Sequence, residues 1–252
     1  MCPISALLLF AVVSTALAQV PSADQLELVW DQHKTALTSF TDQPILLEPD
    51  DFKHIAKGQV AKRRIRQDGP DRVMGAAWSP LSREAIWLAV LDDTHDTLVK
   101  ILSERTLYYD PDGRKFLYQH LDLPWPISDR QWVVEIWNNT KLTDATHNQI
   151  WERVWNLSDP KKMDQPDPEA VWAPMTDGAW LFIPALEGTL VIYHVRSTVG
   201  GAIPDEVVTR WALATVDEMI VHALDRAKEI PAHYDAKHFG INGGDNQPIS
   251  PF

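Results

Sequence analysis

The residue with the clearest chemical potential is Arg130, which stands where a stiff turn meets an apolar strand. The sequence of residues 121–134 is Leu-Asp-Leu-Pro-Trp-Pro-Ile-Ser-Asp-Arg-Gln-Trp-Val-Val, with Pro124 and Pro126 on either side of Trp125. Proline lacks a backbone donor and holds its predecessor extended, so the chain approaches the strand without a helix. A cation beside so much apolar surface has to find a partner or stay near water. Arg130 is therefore the first candidate for a functional residue.

The strand that begins at Arg130 alternates in polarity, so its side chains divide between two faces of a sheet. One face carries Arg130, Trp132, Val134 and Ile136. If this face looks inward, Arg130 would present a fixed cation to a carbonyl, hydroxyl or carboxylate of a mostly apolar ligand. The alternative is a structural ion pair, in which Asp129 or Glu152 is the acid.

Further candidates for the wall of a ligand cavity are large or apolar residues on later strands and on the last long helix. They are Trp180, Phe182, Tyr193, Val208, Trp211, Thr215 and Met219. The alternative is that these side chains fill an ordinary core. Tyr193 is the most informative of them, because a buried tyrosine hydroxyl needs a hydrogen-bond partner.

Motifs for catalysis or for metal binding are missing from the sequence. It contains no Gly-rich phosphate loop, no Gly-x-Ser-x-Gly elbow and no His-Glu-x-x-His zinc helix. Residues 92–96 (Asp-Asp-Thr-His-Asp) have the right types for a metal, but they are consecutive on a predicted loop and favour a solvated turn. We therefore predict no catalytic residue, no metal site and no cofactor.

The composition restricts the class of partner. The formal net charge is -12, which repels nucleic acid and gives no general attraction to anionic bilayers. The basic run at residues 62–66 favours a solvated strand edge, and it leaves transient membrane contact open. Eleven tryptophans suit the walls of a wide cavity, although core filling would use them equally well.

The first 18 residues have the features of a secretory signal peptide. Residues 4–17 carry no charge, and Ala16-Leu17-Ala18 fits a small-residue cleavage site. We therefore expect a secreted or periplasmic protein. The single cysteine, Cys2, lies inside this peptide, so the mature chain would have no disulfide, no thiol catalysis and no cysteine-ligated metal.

The pattern of elements predicts an α+β fold. Apolar spacing indicates a helix over residues 23–40, a short helix starting near Pro80 and a long terminal helix from Pro204 to about Lys228. Between residues 97 and 198, strand-like segments alternate with turns, which favours an antiparallel sheet. The terminal helix is apolar on two sides, so one side can press on the sheet while the other covers a hollow.

A set of short motifs stands in a characteristic order between residues 50 and 230. They are the helix start near Pro80 and the segments 99–102, 123–134, 178–184, 188–195 and 200–204. The turn before Arg130 and the Gly-Gly-Ala-Ile-Pro start of the last helix are the most specific when taken together. In these motifs the chain resembles the START (StAR-related lipid-transfer) domain family of the helix-grip superfamily.

The resemblance implies a curved antiparallel sheet wrapped around a long C-terminal helix, with an internal hydrophobic cavity. Residues 19–232 would form this lipid-binding domain, and 233–252 a flexible tail with little to bury. The ligand would be a lipid or another hydrophobic small molecule. In such domains the matching arginine can pair with a buried acid, but Leu98 stands where that acid would be expected.

Two other functions are compatible with the same scaffold. One is an enzyme of the aromatase or cyclase type acting on a hydrophobic substrate, although the sequence contains no acid and base pair that would support it. The other is a module that binds a protein partner and fills the cavity with its own tryptophans. The sequence makes no prediction of the oligomeric state.

Overall fold

The computed structural model describes residues 19–91, 102–234, 241–250 and 252. Three predictions fall outside these residues: the signal peptide at 1–18, the acidic run at 92–96 and the position of Leu98.

Five α-helices and nine β-strands occur in the described ranges. The helices are α1 (Ala23–Phe40), α2 (Pro49–Ile55), α3 (Arg83–Leu91), α4 (Thr140–Ala145) and α5 (Asp205–His233). The strands are β1 (Ala61–Ile65), β2 (Arg72–Ser79), β3 (Leu102–Tyr109), β4 (Lys115–Leu121), β5 (Arg130–Asn138), β6 (Trp151–Leu157), β7 (Val171–Trp172), β8 (Met175–Ala185) and β9 (Gly188–Thr198).

All nine strands belong to one curved sheet, and the long α5 helix lies in its concavity. The strand order is β1-β2-β9-β8-β6-β5-β4-β3, with every neighbour antiparallel. The short β7 pairs with β5 in parallel and lies off this path. This is the helix-grip architecture, so the predicted α+β fold class is confirmed.

Helix α5 approaches the sheet where a glycine leaves room for it. Gly75 on β2 lies under α5, and a Cβ built there would come within 2.7 Å of the Ile220 side chain and 2.8 Å of Val216. The helix begins after Pro204 as predicted but ends at His233, five residues beyond the predicted Lys228. The last turns continue because Ile230 is buried in the core that α5 shares with α3.

The opposite face of the sheet is covered by the first two helices. A reciprocal capping box between Ser22 and Gln25 starts α1, and its buried residues Leu26 and Trp30 pack in the same apolar cluster as side chains of β2, β8 and β9. This part of the sheet is therefore covered on both faces. None of the helices in the described ranges is both long and apolar enough to cross a bilayer.

The C-terminal segment, residues 241–250, differs from the loosely packed tail that its composition suggested. Gly243 and Gly244 are buried against the Trp151 ring, and a Cβ on Gly243 would come within 2.6 Å of that ring. The Trp87 indole donates to the Asn242 carbonyl at 2.9 Å, and the Asn138 amide donates to the Gly243 carbonyl at 2.9 Å. Composition misled here because these glycines allow close backbone approach and bury no side chain of their own.

Candidate ligand-binding cavity

A cavity of about 830 Å³ lies between the concave face of the sheet and α5. This volume is within the range of roughly 300–1,000 Å³ that is typical of small-molecule sites. Trp211 lines the cavity and is also 43% exposed, so the cavity reaches the surface beside the first half of α5.

Strand register explains which side chains reach the cavity. On β5 the alternate residues Trp132, Val134 and Ile136 line it. Their cross-strand partners also point to this face, since Trp132 pairs with Gln119 and Val134 with Leu117. Of the two faces of β5 predicted from alternation, the one with Trp132, Val134 and Ile136 therefore forms the cavity wall, and the other lies on the opposite side of the sheet.

Eight of the ten residues proposed from the sequence line this cavity. They are Trp132, Val134, Trp180, Tyr193, Val208, Trp211, Thr215 and Met219. Four strand residues and four helix residues contribute, so the wall combines both parts of the helix-grip architecture. The other two proposed residues, Arg130 and Phe182, do not line the cavity.

Arg130 is bound to backbone carbonyls and does not face an apolar hollow. Its side chain is buried, with 3% exposed. Nε donates to the Val199 carbonyl at 2.7 Å, and Nη2 donates to the Gly200 carbonyl at 3.2 Å. Nη1 donates to the carbonyls of Ser128 and Asp129. Arg130 therefore ties its own turn to the loop that leads into α5.

These contacts correct both sequence-based interpretations of Arg130. Within the described residues its partners are carbonyls, so the carboxylates of Asp129 and Glu152 do not pair with it, and its side chain does not line the cavity. Two of these carbonyls, those of Val199 and Gly200, come from a loop about 70 residues away, in which Gly200 and Gly201 adopt positive φ angles of 66° and 68°. Residue types around Arg130 could not indicate this backbone geometry.

Phe182 belongs to the core beyond the end of the cavity. Its ring makes an edge contact with Trp87 of α3 at 5.4 Å and stacks on Trp180 at 6.2 Å between centroids. It shares the concave face with Trp180, as alternation requires, but α3 covers this part of β8. The cavity therefore stops at Trp180.

An aromatic cluster forms one wall of the cavity. The Tyr193 ring stacks on Trp155 at 5.6 Å and meets Trp180 at 4.7 Å between centroids. Trp155 can lie across the sheet here because its cross-strand partner is Gly178, where a Cβ would overlap the indole. The three rings hold one another, so the Tyr193 side chain has a defined direction.

Burial and a neighbouring charge act on the Tyr193 hydroxyl. Desolvation raises its pKa well above the ordinary value of 10, and the negative charge of Glu104 raises it further. The side chain consequently stays a neutral phenol, able to donate one hydrogen bond and to accept another.

Several polar groups of the cavity were missed from the sequence. Glu104 of β3 accepts from the Gln119 amide, and the Gln119 carbonyl oxygen accepts from the Trp132 indole. All three residues line the cavity, in one row across β3, β4 and β5. Alternation along β4 already places Leu117, Gln119 and Leu121 on one face of the sheet. That Glu104 and Gln119 face the cavity together follows only from the register between β3 and β4, which the sequence does not give.

The other polar part of the wall is built by the C-terminal segment. Arg153 of β6 donates to Asn138 Oδ1 at 2.6 Å, and Asn138 Nδ2 donates to Asn246 Oδ1 at 2.7 Å. Asn242 and Asn246 line the cavity together with these two strand residues. The docked segment is therefore part of the site.

A charged network is buried outside the cavity, on the opposite face of the sheet. Asp177 accepts from Arg72 and, at 2.8 Å, from Arg196. Arg72 Nη1 lies 2.8 Å from His194 Nδ1. Burial, followed by the charge of Arg72, lowers the pKa of His194 to about 3, so its neutral ring can accept from Arg72. This network joins β2, β8 and β9.

His120 also lies on that opposite face, among three acids. Nδ1 is 3.1 Å from Asp122, and Nε2 is 3.2 Å from Asp167 and 3.8 Å from Asp129. His120, Asp122 and Asp129 could in principle surround a cation. Since both ring nitrogens already have partners in the protein, we interpret the group as the link between β4 and the loops beside it.

Comparison with known proteins connects this geometry to solved structures. No protein-family model matches the sequence, and no curated protein matches it. The STAR-related lipid transfer protein from Xanthomonas axonopodis is similar in structure, with a TM-score of 0.51, 17% identity, and coverage of 68% of this chain and 96% of that one. Human STARD10 has a TM-score of 0.52 at 11% identity and covers 78% of this chain and 86% of its own.

Human StAR-related lipid transfer protein 5 gives the same result, with a TM-score of 0.52, 10% identity, and coverage of 81% of this chain and 98% of that chain. At this level of identity the likeness establishes the fold. The chain therefore has the fold of START domains.

Proposed function

We propose that this protein binds a lipid or another hydrophobic small molecule in its internal cavity, outside the cytoplasm, and can pass it between hydrophobic environments without converting it. The cavity of about 830 Å³ between the sheet and α5 carries the proposal. Two of the similar structures named above, the Xanthomonas axonopodis protein and human StAR-related lipid transfer protein 5, are described as lipid transfer proteins, which supports the same ligand class.

The energetics of the wall favour an apolar guest. Burying a methylene group contributes about 0.8 kcal/mol, so a long acyl chain or a fused-ring skeleton gains substantial affinity from the aromatic and aliphatic side chains alone. Trp132, Trp155, Trp180 and Trp211 all line the cavity. Their broad faces give a large contact area without requiring one particular ligand shape.

A pair of tryptophan substitutions on α5 tests the proposal. Ala212 lines the cavity, whereas Ala214 on the same helix is exposed. Ala212→Trp should fill part of the cavity and reduce the amount of co-purified hydrophobic ligand at least tenfold, measured by native mass spectrometry and solvent extraction. Ala214→Trp, with the same change of residue, should retain the ligand content of the unmodified protein.

The same measurement can contradict the proposal. A purified protein that carries no ligand and takes up none from a panel of lipids, sterols and fatty alcohols would exclude it. A ligand recovered in chemically altered form would instead indicate an enzyme on this scaffold.

The extracytoplasmic location rests on the uncharged stretch at residues 4–17 and the Ala-Leu-Ala sequence before residue 19. N-terminal sequencing of the protein from its native source should begin at Gln19. A mature protein that still starts at Met1 would remove this part of the proposal.

A further inference from the structure

Tyr193 presents a hydroxyl to the cavity that the protein itself does not satisfy. The residue lines the cavity and is 9% exposed. Across residues 19–91, 102–234 and 241–250, its hydroxyl has no hydrogen-bond partner. Buried tyrosine hydroxyls normally find one, so this group is available to a molecule that occupies the cavity.

The hydroxyl cannot turn away to find a partner elsewhere. Its ring lies between Trp155 and Trp180, and Trp155 is itself seated over Gly178. A rigid aromatic frame of this kind fixes the position of a polar atom without using hydrogen bonds. It is suited to recognising one group of a ligand at one place.

The negative charge of Glu104 affects which ligand groups are favoured beside the Tyr193 hydroxyl. Its carboxylate lines the same cavity and acts electrostatically on the Tyr193 hydroxyl. Glu104 is held by the Gln119 amide, whose own orientation is set by the bond from the Trp132 indole. A second carboxylate brought to Tyr193 would meet the negative charge of Glu104, and because Glu104 is exposed, solvent screens part of this repulsion.

We infer that the ligand carries an uncharged hydrogen-bonding group, a hydroxyl or an amide, which bonds to the Tyr193 hydroxyl, and that Glu104 discriminates against a carboxylate at this position. This inference rests on the proposed function and names the ligand class within it. The ligand is then a neutral amphipathic lipid, whose apolar part fills the rest of the cavity.

The test uses three probes with the same ten-carbon chain: decane, 1-decanol and decanoate. Each displaces the neutral dye Nile red from the full-length protein at pH 8, where decanoate is ionised. The unmodified protein should bind 1-decanol about tenfold more tightly than decane, as expected for one buried hydrogen bond. It should bind decanoate more weakly than 1-decanol.

Tyr193→Phe removes the hydroxyl and keeps the stacked ring. This variant should bind decane as the unmodified protein does, which shows that the cavity is intact, and should lose the preference for 1-decanol. The matched control is Tyr108→Phe, because Tyr108 is exposed and stacks on Phe116 outside the cavity. This control should leave all three affinities unchanged.

Glu104→Gln replaces the charge and preserves an oxygen that can accept from Gln119. It should bring the affinity for decanoate closer to that for 1-decanol. A Tyr193→Phe variant that still prefers 1-decanol, or a Glu104→Gln variant with an unchanged gap, overturns the inference while decane binding upholds the cavity. If none of the three probes binds to the unmodified protein, the proposed function and the inference are both overturned.

Discussion

Glu152 shows how the environment of one residue sets a property of the whole protein. This β6 carboxyl is buried on the face opposite the cavity, and one of its oxygens accepts from the Asn139 amide at 2.6 Å. Burial raises the pKa of Glu152 from 4.5 to about 7, against the effect of the Asn139 bond, and the nearby charge of Asp42 also raises it. At neutral pH the group is therefore close to its midpoint.

The raised pKa predicts a loss of stability with increasing pH. Below about pH 4.5 Glu152 is protonated in both the folded and the unfolded state, so its ionisation does not lower the free energy of unfolding. Between 4.5 and about 7 the unfolded state releases it first, and the free energy of unfolding falls as the pH rises. Above that window the loss is complete, on the order of 3 kcal/mol.

Glu152→Gln should remove this loss, because the amide has no proton to release and still offers an oxygen to Asn139. The stability difference between the variant and the unmodified protein should grow in favour of the variant from pH 5 to pH 8. Urea denaturation at several pH values measures it. A difference that stays constant over that range would show that Glu152 is not the responsible group.

Prediction at the residue scale succeeded where a local pattern decides the outcome. Alternation along β5 placed Trp132 and Val134 on one face, and the structure has both at the cavity. It failed for Arg130, because two of its four acceptors, the carbonyls of Val199 and Gly200, lie in a loop distant in sequence. It also missed Glu104, because its face depends on the register between β3 and β4.

At the scale of elements, Arg130 joins two loops at one end of the sheet. It holds the carbonyls of Ser128 and Asp129 in the turn before β5, and those of Val199 and Gly200 before α5. Gly201 adds to this arrangement, since a Cβ there would come within 3.0 Å of Arg130 Nη2. The start of α5 is thereby fixed to the sheet.

Arg130→Met should destabilise the protein by about 2–4 kcal/mol, because buried carbonyls lose charged donors that water cannot easily replace. Amide hydrogen exchange should become faster in residues 199–204 and at the start of α5. Arg210→Met is the control, since the Arg210 side chain is 76% exposed and pairs with Glu206 on the same helix. It should change stability by less than about 0.5 kcal/mol. Equal effects of the two substitutions would contradict the assigned role of Arg130.

Elements with strong terminal signals were predictable, and those that depend on remote packing were not. Pro204, followed by two acids, marked the start of α5 correctly. The end of that helix extends through Pro231 because buried Ile230 packs in the core that α5 shares with α3. The docking of residues 241–249 depends on the shape of the Trp151 surface, which no local pattern contains.

At the scale of the whole molecule, the sheet has two differently supported parts. Strands β2, β8 and β9 lie between α5 and α3 on one face and the cluster containing α1 and α2 on the other. Strands β3, β4 and β5 extend beyond this double cover and carry much of the cavity wall. The first part provides stability, and the second provides the space in which a guest molecule can be held.

Filling this space should stabilise the fold. A ligand at 100 times its dissociation constant adds about 2.7 kcal/mol. For a protein of this size, that corresponds to an increase in Tm of about 5–11 °C. Differential scanning fluorimetry with 1-decanol measures the shift, and Ala212→Trp should abolish most of it. A shift that persists in this variant would place the binding site outside the cavity.

The fold was predictable at this scale because helix signals, hairpin turns and strand alternation all agree with one architecture. The size of the cavity was not, since eleven tryptophans can fill a hollow as readily as they can surround one. Whether the tryptophans fill or surround a cavity depends on how closely α5 packs on Gly75 and on the contact of α3 with Phe182, which closes one end of the cavity.

The contact of the Tyr193 ring with Trp155 and Trp180 also gives the molecule an intrinsic optical reporter. Light absorbed by the phenol would pass to the neighbouring indoles, whose emission responds to the polarity around them. A guest that displaces water from this wall would shift that emission to shorter wavelength. Ligand occupancy could thus be followed in the unlabelled protein from the wavelength of its tryptophan fluorescence.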